Sequence, residues 1–311
     1  MDIKKVLLLG GSGFVGTYIA NRLSQRGVEV TIPTRRRERT KALIMQPNVE
    51  MPEISINSEE ALVSLMQGQD AVISLVGILH SRDVVLPYSK DFAEAHVELP
   101  KKIVAACKKA GVRRLVHMSA LGADPKGPSE YLCSKGDGEA VVMGARGDLD
   151  VTVFRPSVIF GLRDSFLSMF AGVLRKLPLF PLGFGHARFQ PVWVADVADA
   201  FVDSLGDART FGQAYDLAGP TVYTLRELVD YTAQLVGSKA RVIPLSEGWA
   251  YLQAGLMWLA PQPLMSPDNL RSMETDNVCG SGCNRSGCGV GGGVVDDDDL
   301  IRKRAIGRQV V

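Results

Sequence analysis

Three side chains in the first half of the chain have types and spacing suited to proton transfer at a carbonyl. Ser119 follows the apolar run Arg114 to Met118, Tyr131 comes twelve positions later, and Lys135 closes the segment Tyr-Leu-Cys-Ser-Lys. On a helix, positions i and i+4 are neighbours, so an ammonium at 135 lowers the phenol pKa at 131 towards neutrality and makes it a general acid or base. Ser119 would hold the oxygen of the reacting group. Each residue also has a plainer reading: serine often ends a strand, and Tyr/Lys pairs at helical spacing arise by chance.

These side chains need elements to position them and a carrier for the electrons. Val6 to Leu9 is a short apolar run, and Gly10, Gly13 and Gly16 follow it at the mouth of an amphipathic segment, Phe14 to Leu23. Strand, glycine turn and helix in that order form a dinucleotide-binding turn. Gly10 takes the turn with positive φ, Gly13 lets the backbone approach a pyrophosphate, Gly16 lets helix and strand pack closely, and the helix N-terminus supplies free N–H donors. A second strand, Glu29 to Thr34, should end beside the adenosine ribose, where NAD is held by a carboxylate. Arg35, Arg36 and Arg37 stand there instead, with Arg39 and Lys41 beyond. Guanidinium groups bind a 2′-phosphate bidentately, which favours NADP(H) and leaves NAD(H) as the alternative. The plain reading of this run is a solvated basic helix start.

The remaining strands alternate with helices. Glu59 to Met66 reads as a helix, Ala71 to Val76 as a buried strand ending at Gly77, Phe92 to Ala110 as a helix, and Arg114 to Met118 as a strand. A helix over Tyr131 to Met143 and a strand over Val151 to Arg155 follow, and Pro156 comes next. That rhythm predicts an α/β fold, a doubly wound parallel sheet (Rossmann fold) with a small C-terminal cap. Residues 1–161, completed by about 190–217, would form the nucleotide domain, and 162–189 with 218–278 the cap. Residues 279–311, rich in Gly, Cys and Asp, have too few apolar side chains to order them and read as a disordered tail. Trp249 to Leu259 is apolar on most sides and too short to span a bilayer. It reads either as a surface that docks on a membrane or partner, or as a cap helix buried against the main sheet.

At 311 residues the chain is long enough for an enzyme, and a net charge of +1 with 22% charged residues gives no pull towards nucleic acid. Lys4 and Lys5 precede too short an apolar run for a signal peptide. Cys107 and Cys133 fall inside predicted helices, so no disulfide framework is expected, and the protein is placed in the reducing cytoplasm. Cys279, Cys283 and Cys288 lack a fourth ligand and zinc spacing, so no metal site is expected.

With these motifs in place, the chain resembles the extended or atypical short-chain dehydrogenase/reductase superfamily over roughly residues 3 to 278. The resemblance rests on Gly-Gly-Ser-Gly-Phe-Val-Gly, Ser119, Tyr131-x3-Lys135 and Arg155-Pro156-Ser157-Val158-Ile159-Phe160-Gly161. His117 to Asp124, Gly138-Glu139, Phe189 to Ala198 and Gly219 to Leu228 look more narrowly like the nucleotide-binding accessory subunit of respiratory complex I and its bacterial relatives. That likeness implies a tightly held NADPH and, in mitochondrial members, a role in stabilising or assembling the complex near its quinone site. Bacterial relatives are usually described as epimerase/dehydratase-like oxidoreductases, and a fungal relative is linked to ubiquinone biosynthesis.

The cofactor-binding set is therefore Gly10, Ser12, Gly13, Phe14, Val15, Gly16, Arg35, Arg36, Val76, Gly77, Lys135 and Pro156, and the catalytic set is Ser119, Tyr131 and Lys135. Against the superfamily pattern, His96 stands where an asparagine normally holds a proton-relay water, either as a relay or as a packing residue. Asn57 or its neighbours stand where an aspartate often meets the adenine, and the loop from Ser119 to Tyr131 is short. The expected function is a structural or regulatory nucleotide in a protein associated with complex I or a quinone-related partner, peripheral at the inner face of a membrane. The alternatives are a catalytic oxidoreductase using Ser119, Tyr131 and Lys135, or an epimerase or dehydratase with the same residues. A nucleotide sugar fits least, because 162–190 is apolar.

Overall fold

The computed structural model describes residues 2–35, 41–81, 87–258 and 265–279, without the side chains of 41 and 42. These residues divide into two compact units, 1–156 with 194–216 and 157–193 with 217 onward.

The first unit alternates strand and helix: β1 (Lys5–Leu9), α1 (Phe14–Gln25), β2 (Glu29–Thr31), α2 (Lys41–Ile44), β3 (Val49–Glu50), α3 (Glu59–Met66) and β4 (Ala71–Ser74). Then come α4 (Lys90–Ala93), a π-helical turn (Glu94–Glu98), α5 (Leu99–Ala110), β5 (Arg114–Met118), α6 (Glu130–Gly144) and β6 (Asp150–Pro156). The second unit begins with β7 (Ile159–Phe160), α7 (Phe166–Leu174), β8 (Leu179–Leu182), β9 (Arg188–Phe189) and β10 (Val192–Trp193). The chain returns to the first unit for α8 (Val194–Ser204) and β11 (Gln213–Leu217), then ends the second with β12 (Tyr223–Thr224), α9 (Leu225–Leu235), β13 (Arg241–Pro244), α10 (Glu247–Trp258) and α11 (Pro267–Ser272).

The seven-stranded sheet has the order β11-β6-β5-β4-β1-β2-β3, and the pairs β5/β6, β4/β5, β1/β4, β1/β2 and β2/β3 are parallel. Parallel strands covered on both faces read as continuous apolar runs, and β4 is buried along its whole length. Helices α3 and α6 start where short polar side chains satisfy free N–H groups: Ser58 accepts from Ala61 at α3, Ser129 from Leu132 at α6. Gly111, at φ 75°, ends α5 in the left-handed conformation. Arg114 is fully buried, and its guanidinium donates to the carbonyls of Ser204, Leu205 and Asp150, joining β5 to β6 and to the end of α8.

Three expectations change. The strand placed at Glu29 to Thr34 ends at Thr31, although Ile32 and Thr34 still donate to the carbonyls of Glu50 and Pro52. The strand over Ala71 to Val76 ends at Ser74, so Val76 and Gly77 lie in the loop that leaves the C-terminal end of β4. The helix over Phe92 to Ala110 starts at Lys90 and carries the π-turn, which periodicity does not reveal because it adds one residue to a single turn.

In the second unit, three two-stranded pairs, β7/β10, β9/β12 and β8/β13, surround a core that includes Phe170, Leu174, Phe180, Leu225 and Val229. Asn277 ties this unit's end to its start: its Oδ1 accepts from the Ser157 hydroxyl at 2.6 Å and the Val158 N–H at 3.1 Å. Cys279 still belongs to this ordered end, donating its N–H to Gln190 Oε1 at 3.0 Å. The rest of the segment read as a tail, 280–311, lies outside the described residues.

Candidate functional site

The turn after β1 has the geometry that its glycines suggest. Gly10 has φ 82°, and a Cβ there would sit 3.2 Å from the Leu75 carbonyl carbon and 3.3 Å from the Val76 nitrogen. A Cβ at Gly16 would come within 2.5 Å of Gly11 Cα, so α1 packs on the turn at a distance only glycine permits. The N-cap of α1 is Gly13, and no side chain caps this helix. Its first-turn donors and positive dipole end are therefore available to an anion, which is what a pyrophosphate requires. Ser12 and Gly13 are exposed, Phe14 is half-buried, and Val15 packs inward. Arg35 is exposed shortly after β2, and Arg36 lies outside the described residues.

From this turn the first unit leads to the acid/base residues without a gap. A Cβ on Gly77 would lie 3.4 Å from His96 Nε2 and 4.0 Å from Lys135 Nζ, so the Val76-Gly77 loop joins Gly10 on one side and Lys135 on the other. Lys135 Nζ donates to the Met118 carbonyl at 2.7 Å, directly before Ser119. Ser119 N–H donates to the Phe154 carbonyl at 2.7 Å and Leu121 N–H to the Pro156 carbonyl at 3.0 Å, which sets Pro156 beside the loop after Ser119. Tyr131 and Lys135 sit one turn apart on α6, and the Tyr131 ring meets the His96 ring edge-on at 5.6 Å.

The electrostatics depart from the expected phenol activation. Burial pushes the Tyr131 phenol up to about 12, and Lys135, itself lowered to about 8 by burial, spends its ammonium on the Met118 carbonyl. Spacing alone could not reveal this, because desolvation depends on what covers α6. Glu139, one turn beyond Lys135, accepts from Arg155 Nε at 2.9 Å, and Arg155 also faces Asp216 at 3.7 Å.

His96 lies in the π-turn, 2% exposed, and both ring nitrogens are engaged. Nε2 accepts from the Ile78 N–H at 3.1 Å, so Nδ1 carries the proton and donates to Ser134 Oγ at 2.8 Å. Ser134 Oγ in turn donates to the Tyr131 backbone carbonyl at 2.9 Å. Burial and the Lys135 charge lower the imidazole to about 3, which makes it a neutral packing and positioning residue at ordinary pH. Asn57, the residue set opposite an adenine-binding aspartate, offers its carbonyl to Lys102 Nζ at 2.7 Å.

Sequence reasoning missed a polar patch beside these groups. Ser74 on β4 and His117 on β5 are register partners, and Ser119 follows directly after β5, two residues beyond His117. Ser74 Oγ, His117 Nδ1 and Ser119 Oγ are buried without a hydrogen-bond partner. Such groups normally meet water or ligand. Only the parallel register shows it, since Ser74 and His117 are far apart in sequence.

The NAD-dependent epimerase/dehydratase family model matches residues 6–218. The chain belongs to this family. Among similar proteins, the NADH dehydrogenase [ubiquinone] 1 alpha subcomplex subunit 9, mitochondrial, of Rattus norvegicus is 31% identical, over 87% of this chain and 72% of that protein. A 4-hydroxy-2-methyl-3-oxo-4-farnesyl-3,4-dihydroquinoline-1-oxide ketoreductase from Stigmatella aurantiaca is 25% identical, over 86% and 84%. Of solved structures, the dTDP-glucose 4,6-dehydratase DesIV from Streptomyces venezuelae, with NAD bound, superposes with a TM-score of 0.68 at 20% identity, over 78% of this chain and 85% of that one. This last likeness carries the Rossmann-like α/β fold. For an epimerase/dehydratase family chain, the uncapped helix at Gly13 and the glycine-lined turn fit a dinucleotide. Among the described residues, no cluster of His, Cys, Asp and Glu could hold a metal ion, and no helix is long and apolar enough to cross a membrane.

Proposed function

We propose that this chain holds NADP(H) as a structural or regulatory group and works as an accessory protein of respiratory complex I or a quinone-related partner. The observation that carries the reading is a contrast within one site. The nucleotide turn is open and uncapped, whereas the acid/base pair beside it is held with a phenol at about 12 and a lysine bonded to a backbone carbonyl. A general base works best with a pKa near the ambient pH, and this phenol is far from it. The rat relative, named as a subunit of NADH dehydrogenase, supports the partner. Arg35, and Arg36 in the sequence, support the 2′-phosphate.

The test is to release and identify the nucleotide of the purified protein and time its exchange. Retained NADPH that exchanges over many minutes supports the accessory role, because turnover requires the spent nucleotide to leave. Rapid exchange moves the assignment to an enzyme.

That second reading, a ketoreductase, is favoured by the unpartnered Ser119 hydroxyl next to the Tyr131 and Lys135 helix and by the ketone substrate in the name of the Stigmatella relative. We place the protein in the cytoplasm, peripheral to the inner face of the membrane. The support is α10, whose Trp249, Leu252 and Leu256 stand 64%, 53% and 64% exposed.

A further inference from the structure

The second unit contains a cavity of about 330 Å³ between the start of α7, the β7 segment and one face of α9. Its walls are apolar, with Val158, Phe160, Phe166, Leu167 and Leu228 prominent. We propose that this cavity is a binding site for a neutral isoprenoid or aromatic lipid carrying an oxygen function. The inference goes beyond the nucleotide reading and does not depend on it, since every lining residue belongs to the second unit.

Charge selects the ligand class. Among the described residues no lysine, arginine or histidine lines the cavity, so a phosphate, nucleotide sugar or carboxylate finds no counter-charge there. The charged lining groups are two carboxylates on α9, Glu227 and Asp230, and both are already engaged. Glu227 accepts from the Thr224 N–H at 2.7 Å and hydroxyl at 2.8 Å, and Asp230 from Arg226 Nε at 2.7 Å. They repel an anion, and the largely apolar lining would have to desolvate any charged ligand, which leaves neutral ligands. The volume lies at the small end of ligand pockets, about 300–1,000 Å³, and suits a single ring or a short isoprenoid. The exposed amide of Gln234 at the rim supplies a donor for the ligand oxygen.

The experiment is displacement of the neutral fluorophore N-phenyl-1-naphthylamine from the purified full chain, with its nucleotide, at neutral pH. Farnesol should displace it, farnesoic acid of the same shape should need about tenfold more, and UDP-glucose should not compete. Leu167→Trp fills the cavity from its wall and Gln234→Trp from its rim. Both should lose probe binding with nucleotide content unchanged, and the exposed position of Gln234 keeps one filled variant foldable if Leu167→Trp is not. Trp249→Ser, on α10, should bind normally, which separates the cavity from the exposed apolar helix. Equal competition by farnesol and farnesoic acid, displacement by UDP-glucose, or probe binding that survives filling and vanishes with Trp249→Ser would each overturn the proposal.

Discussion

At the level of single residues, His96 has a consequence that can be measured. Its folded pKa, about 3, lies below the ordinary 6.5, so the unfolded chain takes up the proton first. Stability is therefore full above about pH 6.5 and is lost as the pH falls towards 3. In this range one proton contributes a slope of about 1.4 kcal/mol per pH unit. In His96→Asn the stability-versus-pH curve, followed by denaturant unfolding between pH 6 and 4, should be shallower by about that slope. An unchanged slope would mean that the imidazole is already charged in the fold. Lys135 acts in a different window: its value of about 8 lies below the usual 10.5, so a burial penalty present below pH 8 is relieved as the pH rises through 8 to 10.5. Tyr131→Phe separates the two functional readings. A ketoreductase should lose about a hundredfold or more in rate, the size expected of a general acid. The accessory role predicts unaltered nucleotide retention and partner assembly in the same variant.

Among elements, the contact between α6 and the π-turn is the closest-fitting part of the site. A Cβ on Gly138 would overlap the His96 carbonyl oxygen, so α6 can approach this turn only with glycine at that position. Gly138→Ala should lower stability by about 1–3 kcal/mol, as overpacking does, and loosen nucleotide retention because Lys135 shares the helix. Calorimetry with nucleotide release measures both, and a melting temperature equal to wild type would refute the packing argument. Helix α10 shows the opposite condition. This segment, read either as a docking surface or as a cap helix buried against the main sheet, is buried only in part: Ala250 and Ala254 pack inward, Tyr251 meets Phe184 edge-on, and Trp249, Leu252 and Leu256 face out. The small residues face inward because the neighbouring backbone is near, and a Cβ on Gly183 would already strike Ala250. Trp249→Ser with Leu256→Ser should change stability by no more than about 0.5 kcal/mol, as surface substitutions do. The same pair should abolish co-sedimentation with anionic lipid vesicles; sedimentation equal to wild type would remove α10 from the membrane reading.

For the whole molecule, the nucleotide couples local geometry to global stability. A ligand at a hundred times its Kd stabilises the folded state by about 2.7 kcal/mol. If the proposed NADP(H) reading holds, NADPH at equal concentration should raise the melting temperature of the nucleotide-stripped protein more than NADH, since Arg35 would add a charge-assisted contact to the 2′-phosphate. A larger shift with NADH would cancel that assignment. The two units have separate cores, the first around Leu7, Val72, Leu115 and Val151 and the second around Phe170, Phe180 and Val229. Their differing composition follows from this: buried parallel strands demand β-type aliphatic runs, while the second unit fills its core with aromatics between short strand pairs.

Local pattern determined the elements. The bounds read for Glu59 to Met66 and Arg114 to Met118 coincide with α3 and β5, and the end read at Ala110 with that of α5, because apolar spacing, Ser58 as N-cap and Gly111 as C-cap act within a few residues. The glycine turn was legible from the spacing of Gly10, Gly13 and Gly16 between strand and helix, and Gly16 packs on Gly11 inside the turn, whereas the approach of Gly10 to Leu75 and Val76 is a tertiary contact. Only the tertiary structure decided the states of the side chains. The phenol at about 12, the locked tautomer of His96, the facing pair Ser74 and His117 and the outward face of α10 all depend on groups distant in the chain. Desolvation and hydrogen bonding are set by neighbours in space, and sequence spacing carries no record of those neighbours.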